Sequence, residues 1–289
     1  MGRDFRAWRK IEKYGLTEKQ AKFAIERNAA IDGVYRGLWS ANIVDAKQYN
    51  LPFISELYGT KIGPVLVCGA GPSLEKNKDA IVAAYKKGWS IVCTDRALHE
   101  VRQMGVKEDF SVTTECQPEC GDFLKSAGAG DMVVVNLISS PETRKTLIER
   151  GCKVYNTAPM SPYDPFWNYI YGEDFWGENV GCARPHLIVT FSTVDICYWM
   201  GWDKIVTIGN DLCYEDPFSC SEDTALYQDG SHAHIRMLAD GRWTFPMFEE
   251  AALGFTCFPE WHPDTEFVDA SFGISPWPKK RLDELVGEA

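Results

Sequence analysis

No apolar run in the 289-residue chain approaches the length of a membrane-spanning helix. The opening MGRDFRAWRKIEKYG also lacks the apolar centre that marks a signal peptide. From both absences we expect a cytoplasmic protein with no membrane partner. Basic charge is in short supply: 30 Lys and Arg stand against 41 Asp and Glu, for a net charge of −11. That balance disfavours nucleic acid and anionic lipid, which need clustered cations, but leaves room for a local basic cleft. A second cysteine pair is missing as well. Of ten cysteines, only Cys116 and Cys120, in ECQPEC, lie close together, so no four-ligand zinc site forms at the usual spacing. No histidine stands where it would make one of the cysteines a nucleophile. Cys68, Cys93 and Cys197 lie inside apolar runs, so the thiols read as free and buried in a reducing compartment, not as a disulfide framework. Internal repeats and low-complexity linkers are absent too.

What is present is enough apolar material for a proper core, 45% of the chain, in one large α/β domain or a domain with an appendage. The chain divides near residue 60. In the helical N-terminal segment 1–59, TEKQAKFAIERN (Thr17 to Asn28) opens with a capping box of Thr17 and Gln20 and continues at helical spacing. That segment is expected to regulate, to cover the domain or to build a homo-oligomer. Over 60–289, apolar runs of strand type fall at 65–68, 90–94, 110–114, 132–137, 152–155 and 204–208. Helix-compatible stretches at 74–87, 96–104, 141–150 and 183–200 lie between several of them. Such alternation predicts an α/β, Rossmann-like, mainly parallel sheet with helices on both faces.

In open α/β sheets ligands bind beyond the carboxyl ends of the strands, where the strand order reverses. Four segments fall at such ends: GAGPSL, TDRAL, TTECQPE and GNDLCYED. In the first, two glycines permit a tight turn with close backbone approach. A helix starting near Pro72 or Ser73 would aim free amides and its positive end at an anion such as phosphate. Gly69, Ala70, Gly71, Pro72, Ser73 and Leu74 are therefore candidates for nucleotide or phosphate binding; an ordinary strand-to-helix turn is the plainer reading. Asp95, Glu115, Asn210 and Asp211 are candidates for ribose hydroxyls, a base edge or a hydrated metal, and Arg96 is a further candidate for nucleotide or phosphate binding. Helix capping is the alternative for Asp95.

VLVCGAGPSLEKN, followed by SIVCTDRALHEVRQMGVKEDFSVTTECQPE, resembles the core of the motility accessory factor family, whose domain is shared with archaeal 6-hydroxymethylpterin diphosphokinase. Lys107-Glu108-Asp109-Phe110 departs from that pattern by lacking a proline. The likeness resumes at NVGCARPHLIVTFSTVDICYWMGWDKIVTIGNDLCY, where Gly209-Asn210-Asp211-Leu212 is similar to a Gly-Gln-Asp-Leu-Ala-Tyr motif. It continues with Ser231-His232-Ala233 and with VDASFGI (Val268 to Ile274), and so spans about 60 to 285. The same two anchors resemble family 42 sialyltransferases, with Ala70 in place of their Asn and Asp95 where they carry a donor-contacting Asn.

The resemblance implies a glycosyltransferase that moves a sugar from a nucleotide-activated donor, a CMP-nonulosonic (sialic-type) acid, to a hydroxyl on a glycan, a protein Ser or Thr, or a small molecule. His232 would be the base, with His234 as the alternative and a functionless surface pair as the plain reading. Asn179 and Gly181 join the donor site. Tyr169, Tyr171 and Tyr214 would donate hydrogen bonds to the leaving phosphate, or simply pack, since 13% of the chain is aromatic. No cofactor is required in this reading. The other branch of the resemblance implies a Mg²⁺-dependent diphosphokinase passing diphosphate from ATP to a pterin alcohol, although its Asp-Leu-Asp-Gly and His-Ala-His-Gly-Asp-Asn signatures are missing here. A nucleotide-binding regulator without turnover is the third reading.

Overall fold

The computed structural model describes residues 35–159, 182–183, 188–215, 236–244 and 246–288. Eight strands, β1 (Pro64–Cys68), β2 (Ser90–Thr94), β3 (Phe110–Thr113), β4 (Met132–Asn136), β5 (Lys153–Pro159), β6 (Cys182–Ala183), β7 (Lys204–Ile208) and β10 (Glu266–Asp269), form one sheet in the order β10-β7-β1-β2-β3-β4-β5-β6. All seven pairings are parallel. A two-residue antiparallel ribbon, β8 (Arg236–Met237) with β9 (Trp243–Thr244), stands apart.

A parallel strand buried on both faces needs apolar side chains in succession, and PVLVC, SIVCT and KIVTI supply them. Alternate residues then enter two cores. Leu66, Cys68, Ile91, Val133 and Val206 point to one face, packed against helices α3 (Lys78–Lys86), α4 (Asp95–Gln103) and α9 (Leu282–Glu288). Val65, Val67, Val92, Val112 and Ile205 point to the other, with α6 (Val189–Met200), α7 (Pro246–Phe255) and α8 (Cys257–Trp261). Every residue of α6 from Thr190 to Met200 is buried, the polar Ser192, Thr193 and Asp195 included, and the Thr193 hydroxyl donates to the Val189 carbonyl at 2.9 Å.

The helix over residues 35–48, α1, is followed by a short 3-10 turn, Ile54–Leu57, and both are part of the domain's packing. Ile43 and Ile54 are fully buried, the Asn42 side chain donates to the Ile138 carbonyl at 2.8 Å, and Phe53 bridges to Asn156 of β5. Gly59 and Lys61 amides close the last turn of α6 by donating to Trp199 and Met200 at 2.9 Å. The capping box at Thr17 lies outside the described residues.

The sequence reading and the fold differ in three places. The stretch 74–87 is two helices, α2 (Ser73–Lys76) and α3, broken at Asn77. Asn77 leaves helical geometry with φ −110° and ψ 18°, and its side-chain amide donates to the Ser73 carbonyl. Cys182–Ala183, the first of which abuts and the second of which opens the stretch read as helix 183–200, pairs as β6 on the sheet edge. Finally, β10 is a strand that the apolar-run criterion passes over, because EFVD begins and ends in carboxylates. Cys68, Cys93, Cys116, Cys120, Cys152, Cys197, Cys213 and Cys257 are free thiols. Among the described residues no helix is long and apolar enough to cross a membrane.

Candidate functional site

Strands β2 to β6 follow β1 on one side in chain order, while β7 lies on its other side, so the order reverses between β1 and β7. At that point the turn after β1 meets the turn after β7. The amide of Gly69 donates to the Ile208 carbonyl and that of Gly71 to the Gly209 carbonyl, both at 2.8 Å. Ser73 donates from its hydroxyl (2.8 Å) and its amide (3.2 Å) to the Asp211 carboxylate, and the same hydroxyl accepts from the Gly209 amide at 2.9 Å.

The glycines are thereby explained by proximity. Gly71 does not have a positive φ, but a Cβ there would lie 2.2 Å from Asp211 Oδ2 and 2.8 Å from the Gly209 carbonyl oxygen. Gly209 combines φ +68° with a Cβ position 2.0 Å from the Gly69 carbonyl oxygen. The amides expected to cradle a phosphate are thus engaged within the protein: those of Gly69, Gly71 and Ser73 serve β7, and Leu74 donates to Gly71. Among the described residues Ala70, exposed at the tip, is the turn residue whose amide is not so taken. Leu74 is in the core.

Beside this junction lies a cleft of about 270 Å³, lined by Pro72, Ser73, Lys76 and Asn77 together with Asp211, Cys213, Glu215, Arg242 and the loop Ala270–Phe272. Two cations face it, each with an acidic neighbour: Lys76 with Glu215, and Arg242 with Asp240 at 2.6 Å. Burial pushes the Asp211 carboxyl above its ordinary value against the pull of its Ser73 hydrogen bonds. Asn210, 2% exposed, donates its amide to Ser271 Oγ at 2.9 Å, and its side-chain Nδ2 is buried without a partner.

Farther along the same edge, Asp95 is buried at the end of β2. It accepts from the Thr113 hydroxyl at 2.7 Å and from the Arg96 amide at 2.8 Å. Burial, reinforced by the charge of Glu115, raises its carboxyl to about 7. Thr94 links this group to the junction through a hydrogen bond to the Cys68 carbonyl at 3.4 Å. Arg96 lies over the Phe123 ring, 4.2 Å from its centroid. Tyr214 exchanges two 2.7 Å backbone bonds with Trp243 and packs on Phe248. Asn179, Gly181, His232 and His234, with Tyr169 and Tyr171, lie outside the described residues. Arg242 lies outside every motif, while Lys76 and Phe272 fall inside the stretches VLVCGAGPSLEKN and VDASFGI without being singled out there. Arg242 and Phe272 reach the cleft from loops far along the chain, and Lys76 reads as an ordinary surface lysine. Among the described residues no group of three or more His, Cys, Asp or Glu is placed to hold a metal ion.

Residues 40–217 match the model of the family described as 6-hydroxymethylpterin diphosphokinase MptE-like. Among solved structures, the chain is similar to a structure described as that of MAf glycosyltransferase from Magnetospirillum magneticum AMB-1, with a TM-score of 0.56 and 14% identity. That alignment covers 81% of this chain and 34% of the other, so this chain spans about a third of that protein's length. At this identity the likeness is one of fold. The comparison with curated proteins finds no match.

Two outcomes follow from the junction and its neighbour. Replacing Gly71 by Val should destabilise the whole domain by about 2 kcal/mol or more, read as a lower denaturation midpoint, because the side chain must force β1 and β7 apart. Gly37→Ala, on α1 with open space around it, should be neutral or slightly stabilising. For Asp95, a carboxyl raised in the folded state favours folding most at low pH, and that contribution is lost as pH rises from about 4 to about 7. Asp95→Asn should remove that slope and leave the variant more stable than the parent at pH 8, by up to about 4 kcal/mol. Equal pH profiles for the two chains would show that Asp95 titrates normally.

Proposed function

The chain belongs to the 6-hydroxymethylpterin diphosphokinase MptE-like family, and we propose that it is a group-transfer enzyme whose activated donor lies in the cleft beside the β1 and β7 junction. The observation that carries this reading is the cleft's position at the strand-order reversal, with Lys76 and Arg242 both lining it. The leading form is a glycosyltransferase acting on a nucleotide-activated sugar, with a CMP-nonulosonic acid as the donor. Its support is the fold likeness to a glycosyltransferase.

In that reaction the bond between the anomeric carbon and the donor phosphate oxygen breaks, and its electron pair leaves on the phosphate. The acceptor oxygen bonds to the carbon and gives its proton to a base. Lys76 and Arg242 would exchange Glu215 and Asp240 for the departing phosphate. His232 would take the proton, with His234 in reserve. Neither step calls for a metal.

A second reading has a specific observation in its favour, the description of the family itself. Here the pterin alcohol oxygen would attack the β-phosphorus of ATP and AMP would leave. Mg²⁺ usually needs only one or two protein carboxylates alongside substrate phosphates, and Asp211 and Glu215 both face the cleft. The ion would neutralise the charge developing on the phosphates.

Thermal shift with CMP, CDP, UDP, GDP and ATP, each with and without Mg²⁺, separates the two, because a ligand that binds the folded chain raises its stability. The leading reading expects a cytidine nucleotide to stabilise the chain and a chelator to change nothing. ATP preference that vanishes without Mg²⁺ would install the diphosphokinase. Donor hydrolysis then tests turnover: His232→Ala should lower it roughly a hundredfold with donor affinity unchanged, and should erase the rise in rate with pH that an imidazole base produces. Full activity in both His232→Ala and His234→Ala would move the base elsewhere. Binding without any turnover would make the chain a regulator.

A further inference from the structure

Three non-glycine residues among the described ones have positive φ: Asn50, Leu212 and Phe272. Asparagine tolerates left-handed backbone; leucine and phenylalanine do so at a cost. Leu212 (φ 54°) has core burial to offset that cost, being 7% exposed. Phe272 (φ 57°) has none: it is 49% exposed, and its ring pairs with no other aromatic ring among the described residues.

The backbone around Phe272 is nonetheless fixed from several directions. Its carbonyl accepts from Arg242 Nη1 at 2.8 Å. The preceding Ser271 donates its amide to Asp269 at 2.9 Å and accepts from the Asn210 amide at the same distance. The following Gly273 touches the Asp211 backbone so closely that a Cβ would fall 1.9 Å from the Asp211 carbonyl oxygen, and Ile274 donates to that oxygen at 3.0 Å. Asp269 is itself fully buried and held by Lys279 and by the Thr207 hydroxyl. Folding gains nothing from placing an apolar ring in strained backbone facing water. Strain that the surroundings over-determine belongs to a working site.

Phe272, half exposed, lines the cleft together with Lys76 and Arg242. A ligand suited to both features has a flat ring for the aromatic face and a phosphate for the cations. We infer that Phe272 is a preformed stacking platform for a planar heterocycle, and that the loop from Ala270 to Gly273 selects ligands by that ring. Identifying the ring with the donor's nucleobase rests on the transferase reading above; the platform itself does not.

The experiment measures binding of CMP, ATP, 6-hydroxymethylpterin and ribose 5-phosphate to the full chain and to Phe272→Asn and Phe272→Tyr, with the melting temperature of each. Phe272→Asn should weaken the ring-bearing probe roughly tenfold or more, in line with the loss of one stacked base, and leave ribose 5-phosphate unchanged. Its melting temperature should hold or rise, since asparagine is at ease in this backbone. Phe272→Tyr should bind like the parent. A pterin bound through Phe272 while CMP and ATP fail to bind would keep the platform and sink the nucleotide-sugar reading. CMP or ATP bound equally by parent and Phe272→Asn would overturn the platform and leave the transferase reading standing. A falling melting temperature with all probes weakened together would make Phe272 structural and overturn the inference, as would a parent chain that binds none of the three ring compounds.

Discussion

The Asp211 carboxylate is the point on which the carboxyl edge of the sheet depends. It takes both the amide and the hydroxyl of Ser73, and so ties the turn after β1 to the turn after β7. Its own backbone carbonyl receives the Ile274 amide and lies against Gly273, which brings in the loop after β10. Three loops distant in sequence thus converge on one residue. The approach is so close that Gly71, Gly209 and Gly273 have no space for even a methyl group. A buried carboxylate would be costly alone, and its elevated proton affinity reflects that cost; the Ser73 donors are what make the arrangement tenable.

This junction also constrains how an anion can bind. A strand-to-helix turn rich in glycine commonly offers its amides to phosphate, but here the anion seated on Ser73 is the protein's own carboxylate. In the proposed function, recognition of a phosphate would then fall to side chains, chiefly Lys76 and Arg242, and each already has an acidic neighbour in Glu215 and Asp240. A ligand anion must exchange with those carboxylates. The exchange is favourable where the ligand carries more charge than the carboxylate it replaces and is weakened by salt. A cleft built in this way in a chain of net charge −11 discriminates by charge count and shape, with little general affinity for polyanions.

Much of this was legible in the sequence for a simple reason. Strands buried on both faces must be apolar throughout, so β1, β2, β3, β4 and β7 announce themselves as short Val- and Ile-rich runs, and their alternation with helical stretches gives the parallel sheet. The exceptions are those in which a different force sets the structure. β10 is a strand because β7 offers it a parallel edge, and its Asp269 points into a hydrogen-bonded cluster instead of a core. Asn77 breaks a helical pattern through a side-chain bond to Ser73 that no periodicity reveals. Asp95 was legible as either a cap or a site residue; it is the first residue of α4, one place inside the cap position at Thr94, and its carboxylate takes the Arg96 amide while burial and Glu115 raise its carboxyl. Arg242 lies outside every motif, and Phe272, though inside VDASFGI, carries no sequence signal of its own, because both reach the cleft only where two loops meet.

The junction changes the weight of the motifs themselves. Gly-Ala-Gly-Pro-Ser at 69–73 and Gly-Asn-Asp at 209–211 look like two separate signatures, each pointing to a nucleotide. Physically they are one. Ser73 is needed because Asp211 must be satisfied, Gly71 because Asp211 and Gly209 come so near, and Gly209 because Gly69 does. A chain that keeps one half of this arrangement is obliged to keep the other, whatever it binds. The pair therefore identifies the fold and the place of the cleft, and it is silent on which group is transferred. In the proposed function, choice of ligand would fall to cleft residues outside the Ser73–Asp211 contact, such as Lys76, Arg242 and Phe272. Two members of one fold can share every residue of the junction and still differ in donor, because the constraint that makes the motif recognisable is a constraint on packing.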